Sequence, residues 1–280
     1  MKKEKMKNRL YFCVPLFLFL LSFIPLSKVE AGESHENLQR QQILKHEIFD
    51  RILREFVNEQ GLVDYAGLKK EVRRLESYIM QLRSIKDPET LPRNDRLSFW
   101  INAYNALTLC LILDYYPKIR SIKDIPRRKR WWHNRFKLGR KIYSLDHIEH
   151  QILRKMEEPG IHFAIVCASI GCPKLQKRAF TGENIEAQLE KAKIDFFNSP
   201  NQVKIGDEKG IIWGTNRVVK VSQIFNWFGR DFKKDGKSVL SYIYKNANLE
   251  QKKYMDRFEK ELALKFLHWD WKLNDWKRKK

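Results

Sequence analysis

Cysteine is scarce in this chain, with four among 280 residues. One of them, Cys13, sits inside an N-terminal apolar run rather than after a lipobox, which speaks against lipid attachment. Too few thiols remain for a disulfide-built scaffold, so the chain has to fold around a buried core. Internal repeats, low-complexity tracts and any Pro/Gly/Ser linker between Leu38 and Trp276 are also missing, which excludes tethered modules and leaves one domain as the expectation. The familiar helical zinc signature is absent, and His147, His150 and Cys167 have no recognised ligand spacing, so neither a metal nor another cofactor is expected.

What is present begins with Lys2, Lys3, Lys5, Lys7 and Arg9 ahead of an apolar stretch from Tyr11 to Leu26. A basic segment before such a run is the pattern of a secretory signal peptide. Val29 and Ala31 suit the small positions of a cleavage site, giving residues 1–31 as signal peptide and Gly32 as the mature start. The run, which contains Pro15, falls just short of a membrane span, and no later segment reads as one. The expected location is therefore exported, periplasmic or secreted. The formal charge is +21, and residues 1–31 hold six Lys/Arg against two Asp/Glu, so the 249 residues that follow keep +17. Such a surface is drawn to anions. For an exported protein these are lipopolysaccharide, acidic phospholipid or wall polymers, with no nucleic acid expected.

Residues 32–40 are polar and read as a loose segment before a domain over 41–276, with 277–280 a basic tail. Leu44, Ile48, Ile52, Leu53, Phe56 and Val57 recur at helical spacing until Gly61. A second helix is expected from Tyr65 to about Ile85. A third, apolar around most of its circumference, runs from Asn94 to Tyr116 and is halted by Pro117. A basic, aromatic loop or hairpin spans 127–141, and Ser144 can cap a helix from Leu145 to Met156. Ile161 to Cys167 has the length and composition of a buried strand, followed by a loop from Ala168 to Pro173. A helix over Glu183 to Asn198 precedes the short runs Val203 to Ile205, Ile211 to Trp213 and Val218 to Val221, which read as an antiparallel meander. Helices over Ser222 to Phe228 and Ser238 to Asn246 and a last strand over Leu262 to Trp271 complete the reading. The fold class is α+β: a helix-rich single domain with a small, mostly antiparallel sheet from the later part of the chain.

The run Phe99-Trp-Ile-Asn-Ala-Tyr-Asn-Ala-Leu-Thr-Leu109 resembles the hallmark of the domain of unknown function 547 family. Five further blocks follow that family's order: Val63 to Tyr65; Ser144 to His150 with Leu153 and Arg154; His162 to Ser169 with Cys172 and Pro173; Ile224 to Phe228 with Asp231 and Phe232; and Asp270, Trp271, Leu273 and Asn274. The resemblance implies little about activity. Some relatives carry the domain beside a glutaredoxin domain, which hints at thiol chemistry by association only.

The densest chemical cluster is His162, Cys167, Ser169, Cys172 and Pro173. Three cysteines remain beyond the signal segment, and an odd count in an oxidising compartment predicts one bridge and one leftover thiol. Cys110 lies in the apolar helix and is expected to be buried, leaving Cys167 and Cys172 as partners. The pair reads either as a structural disulfide or as a reactive thiol with Cys172 as resolver. A cysteine nucleophile needs an imidazole and an orienting group, for which His147, His150 and His162, with Asn102, Asn105, Asp146 and Glu149, are the candidates. Asn102 and Asn105, three apart on the apolar helix, either line a pocket or pin neighbouring backbone. Arg154, Ser169 and Asp231, with Trp131, Trp132 and Arg128 of the basic segment, are candidate contacts for an unidentified small-molecule or peptide ligand. Two functions stay open: thiol-dependent chemistry, of cysteine hydrolase, transferase or redox type, or a non-catalytic, disulfide-stapled module that binds anionic envelope material.

Overall fold

The computed structural model describes residues 44–133, 136–209, 215–233 and 238–276. The signal peptide, the loose segment, the expected run over 211–213 and the basic tail lie outside the described residues.

The organising element is the helix over Arg93–Tyr115, numbered α4, which follows α1 (Glu47–Phe56), α2 (Tyr65–Lys70) and α3 (Val72–Ser84). Because its side chains are apolar on nearly all sides, from Leu97 and Phe99 through Trp100, Leu107 and Leu111, it can only sit inside the domain. By length and composition it would pass for a membrane span, which the sequence reading set aside, yet 89% of that stretch is buried within the domain. Cys110, expected to be buried, is only partly so. α1 packs on α3 and α3 on α4. The helix expected over residues 65–85 is interrupted at Glu71, where the Glu71 N–H closes α2 on Leu68 O.

Beyond α4 a short turn α5 (Arg127–Arg130) leads to an antiparallel hairpin of β1 (Phe136–Leu138) and β2 (Lys141–Tyr143). Ser144 then caps α6 (Leu145–His147) by accepting the His147 N–H. This helix continues as a π-helical turn over Ile148–Leu153, in which the Arg154 N–H reaches back to Glu149 O, and ends in a 3-10 turn over Arg154–Met156. π turns are rare and recur at functional sites.

The expected strand over residues 161–167 is not one. Residues Pro159–Phe163 form a 3-10 turn, and 164–167 run on without a partner strand. The reason is Asn105 of α4. Its amide donates to Ala164 O at 3.0 Å and accepts the Val166 N–H at 2.9 Å, so one side chain supplies the bonds a neighbouring strand would have made. Asn102, one turn earlier, does the same for Phe180, donating to its carbonyl at 2.7 Å and accepting its N–H at 3.0 Å.

The helix α7 (Ile185–Phe197) packs on that 3-10 turn, and the three-stranded sheet follows. β3 (Val203–Lys209) pairs antiparallel with β4 (Thr215–Val221), and β4 pairs in parallel with β5 (Ala263–Phe266). Between them lie α8 (Ile224–Trp227), α9 (Val239–Asn246) and α10 (Leu249–Arg257), the last absent from the sequence reading. The C-terminal segment then crosses back. Ser169 and Leu273 form a bridge, the Ile170 and Gly171 N–H groups donate to Lys272 O and Asp270 O, and the Tyr65 hydroxyl donates to Asn274.

A buried histidine gives the helical part a pH dependence. His46 is 5% exposed, its Nδ1 lies 2.6 Å from the Tyr78 hydroxyl, and burial lowers its pKa to about 4 from 6.5. The unfolded chain takes up a proton below about pH 6.5 and the folded one does not until about pH 4, so stability falls as pH drops through that window. The loss amounts to about 3 kcal/mol. His46→Gln, which keeps an acceptor for Tyr78 but does not titrate, should flatten this part of the profile. Urea midpoints of both proteins at several pH values measure it, and parallel profiles would refute the assignment.

Candidate functional site

Asn105 holds Val166 in place, and the next residue is Cys167. From there the chain turns sharply: Ala168 adopts a left-handed backbone with φ 65°, a conformation uncommon outside glycine. Gly171 passes so close to Trp269 that a Cβ there would lie 2.8 Å from the indole, so a larger residue would have to displace it. The turn brings the two sulfurs of Cys167 and Cys172 to 2.6 Å. Both are thiols in this structure, where the sequence reading expects a disulfide. The Ser169 hydroxyl lies 3.2 Å from each sulfur and itself accepts the Trp269 indole N–H at 3.0 Å. The Cys167 N–H donates to the Cys172 sulfur at 3.1 Å.

This pattern is asymmetric. The hydrogen bond with Cys172, followed by burial, pushes the Cys167 thiol well above its usual range. Burial also opposes a Cys172 thiolate, but bonds from the Cys167 thiol, the Ser169 hydroxyl and the Cys167 amide outweigh it and hold that thiol below its usual value. The Cys167 N–H, which reaches the Cys172 sulfur, favours the negative charge of a singly ionised pair on Cys172.

The sulfurs open into a pocket of about 280 Å³. One wall is the α6 helix and its π turn, with Asp146, Glu149 and His150; Tyr104 of α4 donates to Glu149 at 3.0 Å. Trp131 and Trp132 of the basic segment form a second wall, with the Trp132 N–H on Asp146 at 3.0 Å. Ile224, Trp227 and Phe228 of α8 with Trp269 and Trp271 of the C-terminal segment close the far side.

Behind this wall lies an ionic network. Arg154 grips Asp231 with two bonds of 2.6 and 2.9 Å, and the Asp231 carboxylate also takes His162 Nε2 at 2.8 Å. Burial works against that carboxylate, yet the bonds from Arg154 and His162 prevail and hold its pKa well below the usual carboxylate range. As an ionised carboxylate can only accept, His162 Nε2 carries the proton. Arg154 also lies 3.1 Å from His150 Nδ1 and over the Phe228 ring, on which His162 stacks at 4.4 Å.

The candidates therefore divide. Cys167, Cys172, His150, His162, Glu149, Trp131 and Trp132 line the pocket, with Ser169 bonded to both sulfurs behind it. Arg154 and Asp231 are paired with each other. Asn102 and Asn105 spend their amides on backbone. His147 is exposed beside the Tyr143 ring, and Arg128 is exposed on α5; neither lines the pocket. His162 and His150 direct nitrogens to Asp231, Arg154 and Asp146, not to sulfur. Among the described residues no cluster of His, Cys, Asp or Glu is arranged to hold a metal. The sequence reading missed Tyr104 and treated Trp227, Phe228, Trp269 and Trp271 as core or rim. The density of Trp in the α8 and C-terminal blocks was the available signal.

Residues 88–197 match the model of a family described as protein of unknown function, DUF547. This stretch is similar to the DUF547 family. It contains α4, the π turn and both thiols, and it is narrower than the six blocks noted in the sequence, which extend to Asn274. The matched stretch thus holds both thiols, while α8 and the C-terminal tryptophans outside it supply the far wall. No curated protein and no solved structure matches the chain.

Proposed function

We propose that the domain performs thiol–disulfide exchange at Cys167 and Cys172. The observation that carries this reading is the approach of the two sulfurs to 2.6 Å in the wall of an open pocket, with the Cys167 N–H donating to the Cys172 sulfur and the Ser169 hydroxyl beside both. Closing to a bond of about 2.05 Å needs little movement. Exposure favours Cys167 as the attacking sulfur and charge favours Cys172. Since the thiolate is the nucleophile, charge decides.

In the forward direction the Cys172 thiolate attacks one sulfur of a substrate disulfide, whose S–S bond breaks and whose other half leaves as a thiolate. Cys167 then gives up its proton and attacks the mixed disulfide, releasing the second half. Two electrons pass from the protein to the substrate, the protein gains one S–S bond, and of the two released thiolates one takes the Cys167 proton and the other a proton from water. A hydrolase of the Cys–His kind has less support, because the imidazoles are engaged with Asp231, Arg154 and Asp146. We also propose that residues 1–31 direct export.

Equilibration in glutathione or dithiothreitol buffers, followed by acid quench, alkylation and intact mass, tests the exchange. The expected midpoint lies between about −300 and −120 mV, the range of exchange-active pairs. A pair that stays oxidised below about −300 mV would instead be a staple. That outcome favours the second reading, a binding module whose exposed basic turn at Arg127–Arg130 and half-exposed Trp132 face anionic envelope material.

A further inference from the structure

The whole chain is strongly basic, with 55 Lys/Arg against 34 Asp/Glu, yet the pocket beside the thiols inverts that balance. Its lining holds the carboxylates of Asp146 and Glu149 and no Lys or Arg. Each carboxylate is oriented by a neutral donor, Tyr104 to Glu149 and Trp132 to Asp146, while His150 lies 3.6 Å from Asp146 and Arg154, the cation acting on Glu149, is paired with Asp231. The remaining lining is largely indole and phenyl. An aromatic ring attracts a cation to its face, and a desolvated site strengthens that attraction. These indoles already do so on the outside: Lys123 lies 4.5 Å from the Trp271 ring centre and Arg127 4.6 Å from that of Trp132, although neither cation lines the pocket.

The opposing effect is the net positive charge of the whole molecule. Charges more than about 8 Å away are largely screened at physiological ionic strength, whereas two carboxylates in the lining act at contact distance. Of the nearer cations, Arg154 is paired with Asp231, and Lys123 and Arg127 do not line the pocket, which leaves the two carboxylates as its lining charges. A volume of about 280 Å³ takes one group the size of a lysine or arginine head, not a folded surface.

We infer that the pocket binds a cationic group, an ammonium or guanidinium held between Glu149, Asp146 and the surrounding tryptophans, and that the disulfide exchanged here carries such a group close to its sulfurs. The second half rests on the exchange reading; the binding half does not.

The test has two arms. In the first, the reduced protein is oxidised by cystamine, which is doubly cationic, by the neutral hydroxyethyl disulfide of the same length, and by the anionic dithiodipropionate. Each rate is divided by that of free dithiothreitol with the same probe, which removes the intrinsic reactivity. Cystamine should lead the neutral probe by about tenfold and dithiodipropionate should be slowest, the reverse of the order that net charge alone dictates. Glu149→Gln should bring the cationic and neutral probes within about twofold of each other. In the second arm, n-butylammonium should quench the tryptophan fluorescence of the unmodified protein saturably, and n-butanol should not. Quenching without exchange by any probe would end the exchange reading and leave the cation site standing. Exchange that ignores probe charge, with no saturable quenching, would overturn the cation site and leave the exchange reading intact.

Discussion

Asn105→Ala should lower the stability of the domain by about 4 kcal/mol, because it orphans a buried carbonyl and a buried amide at once, each worth about 1–3 kcal/mol when left unpaired. For a domain of this size that corresponds to a fall in melting temperature of about 10 °C. The groups orphaned are Ala164 O and Val166 N–H, and the asparagine one turn earlier, Asn102, is occupied by Phe180. Asn105→Asp should be at least as damaging. It keeps an acceptor for Val166 but turns a donor toward Ala164 O into a second acceptor and buries a charge. Thermal melts and urea titrations measure both variants. A loss under about 1 kcal/mol would mean that the segment before Cys167 is held by something else.

The second large effect concerns the two sulfurs. Cys172→Ser should abolish disulfide exchange, a loss of at least about a hundredfold, because the hydroxyl that replaces the thiol is not ionised at neutral pH. Cys167→Ser should behave differently. The Cys172 thiolate keeps its bonds from Ser169 and the residue-167 amide, so it still attacks but has no resolving partner. The protein should accumulate as a mixed disulfide at Cys172, seen by intact mass and peptide mapping. This reverses the roles the sequence reading gives the pair, where Cys167 attacks and Cys172 resolves. Trapping at Cys167 in Cys172→Ser, with none at Cys172 in Cys167→Ser, would restore the original order. Two inert single variants and an equally inert double variant, all with one shared loss of stability, would make the pair a structural bond.

The α4 helix and the β3–β4 pair are legible without coordinates. The first is apolar around most of its circumference and the second alternates between turn signals. Ser144 announces the start of α6 by its capping chemistry, and the paired thiols announce themselves by being the cysteines at one loop. All of these are local properties, carried by residues within a few positions of one another.

What only the tertiary structure decided are the partnerships. An apolar run such as Ile161 to Cys167 records that a segment is buried, and it reads the same whether its backbone bonds go to a strand or to one asparagine 59 and 61 positions earlier. The charge on Cys172 depends on donors that the turn at Ala168 and the indole of Trp269 bring together. The pocket likewise joins Glu149 to Trp227 and Trp271, residues whose periodicity marks them only as apolar. Periodicity and composition report how far a side chain is removed from water. Which group meets it there is set by the closure of the chain on itself, and hydrogen bonds and ionisation follow from that group alone.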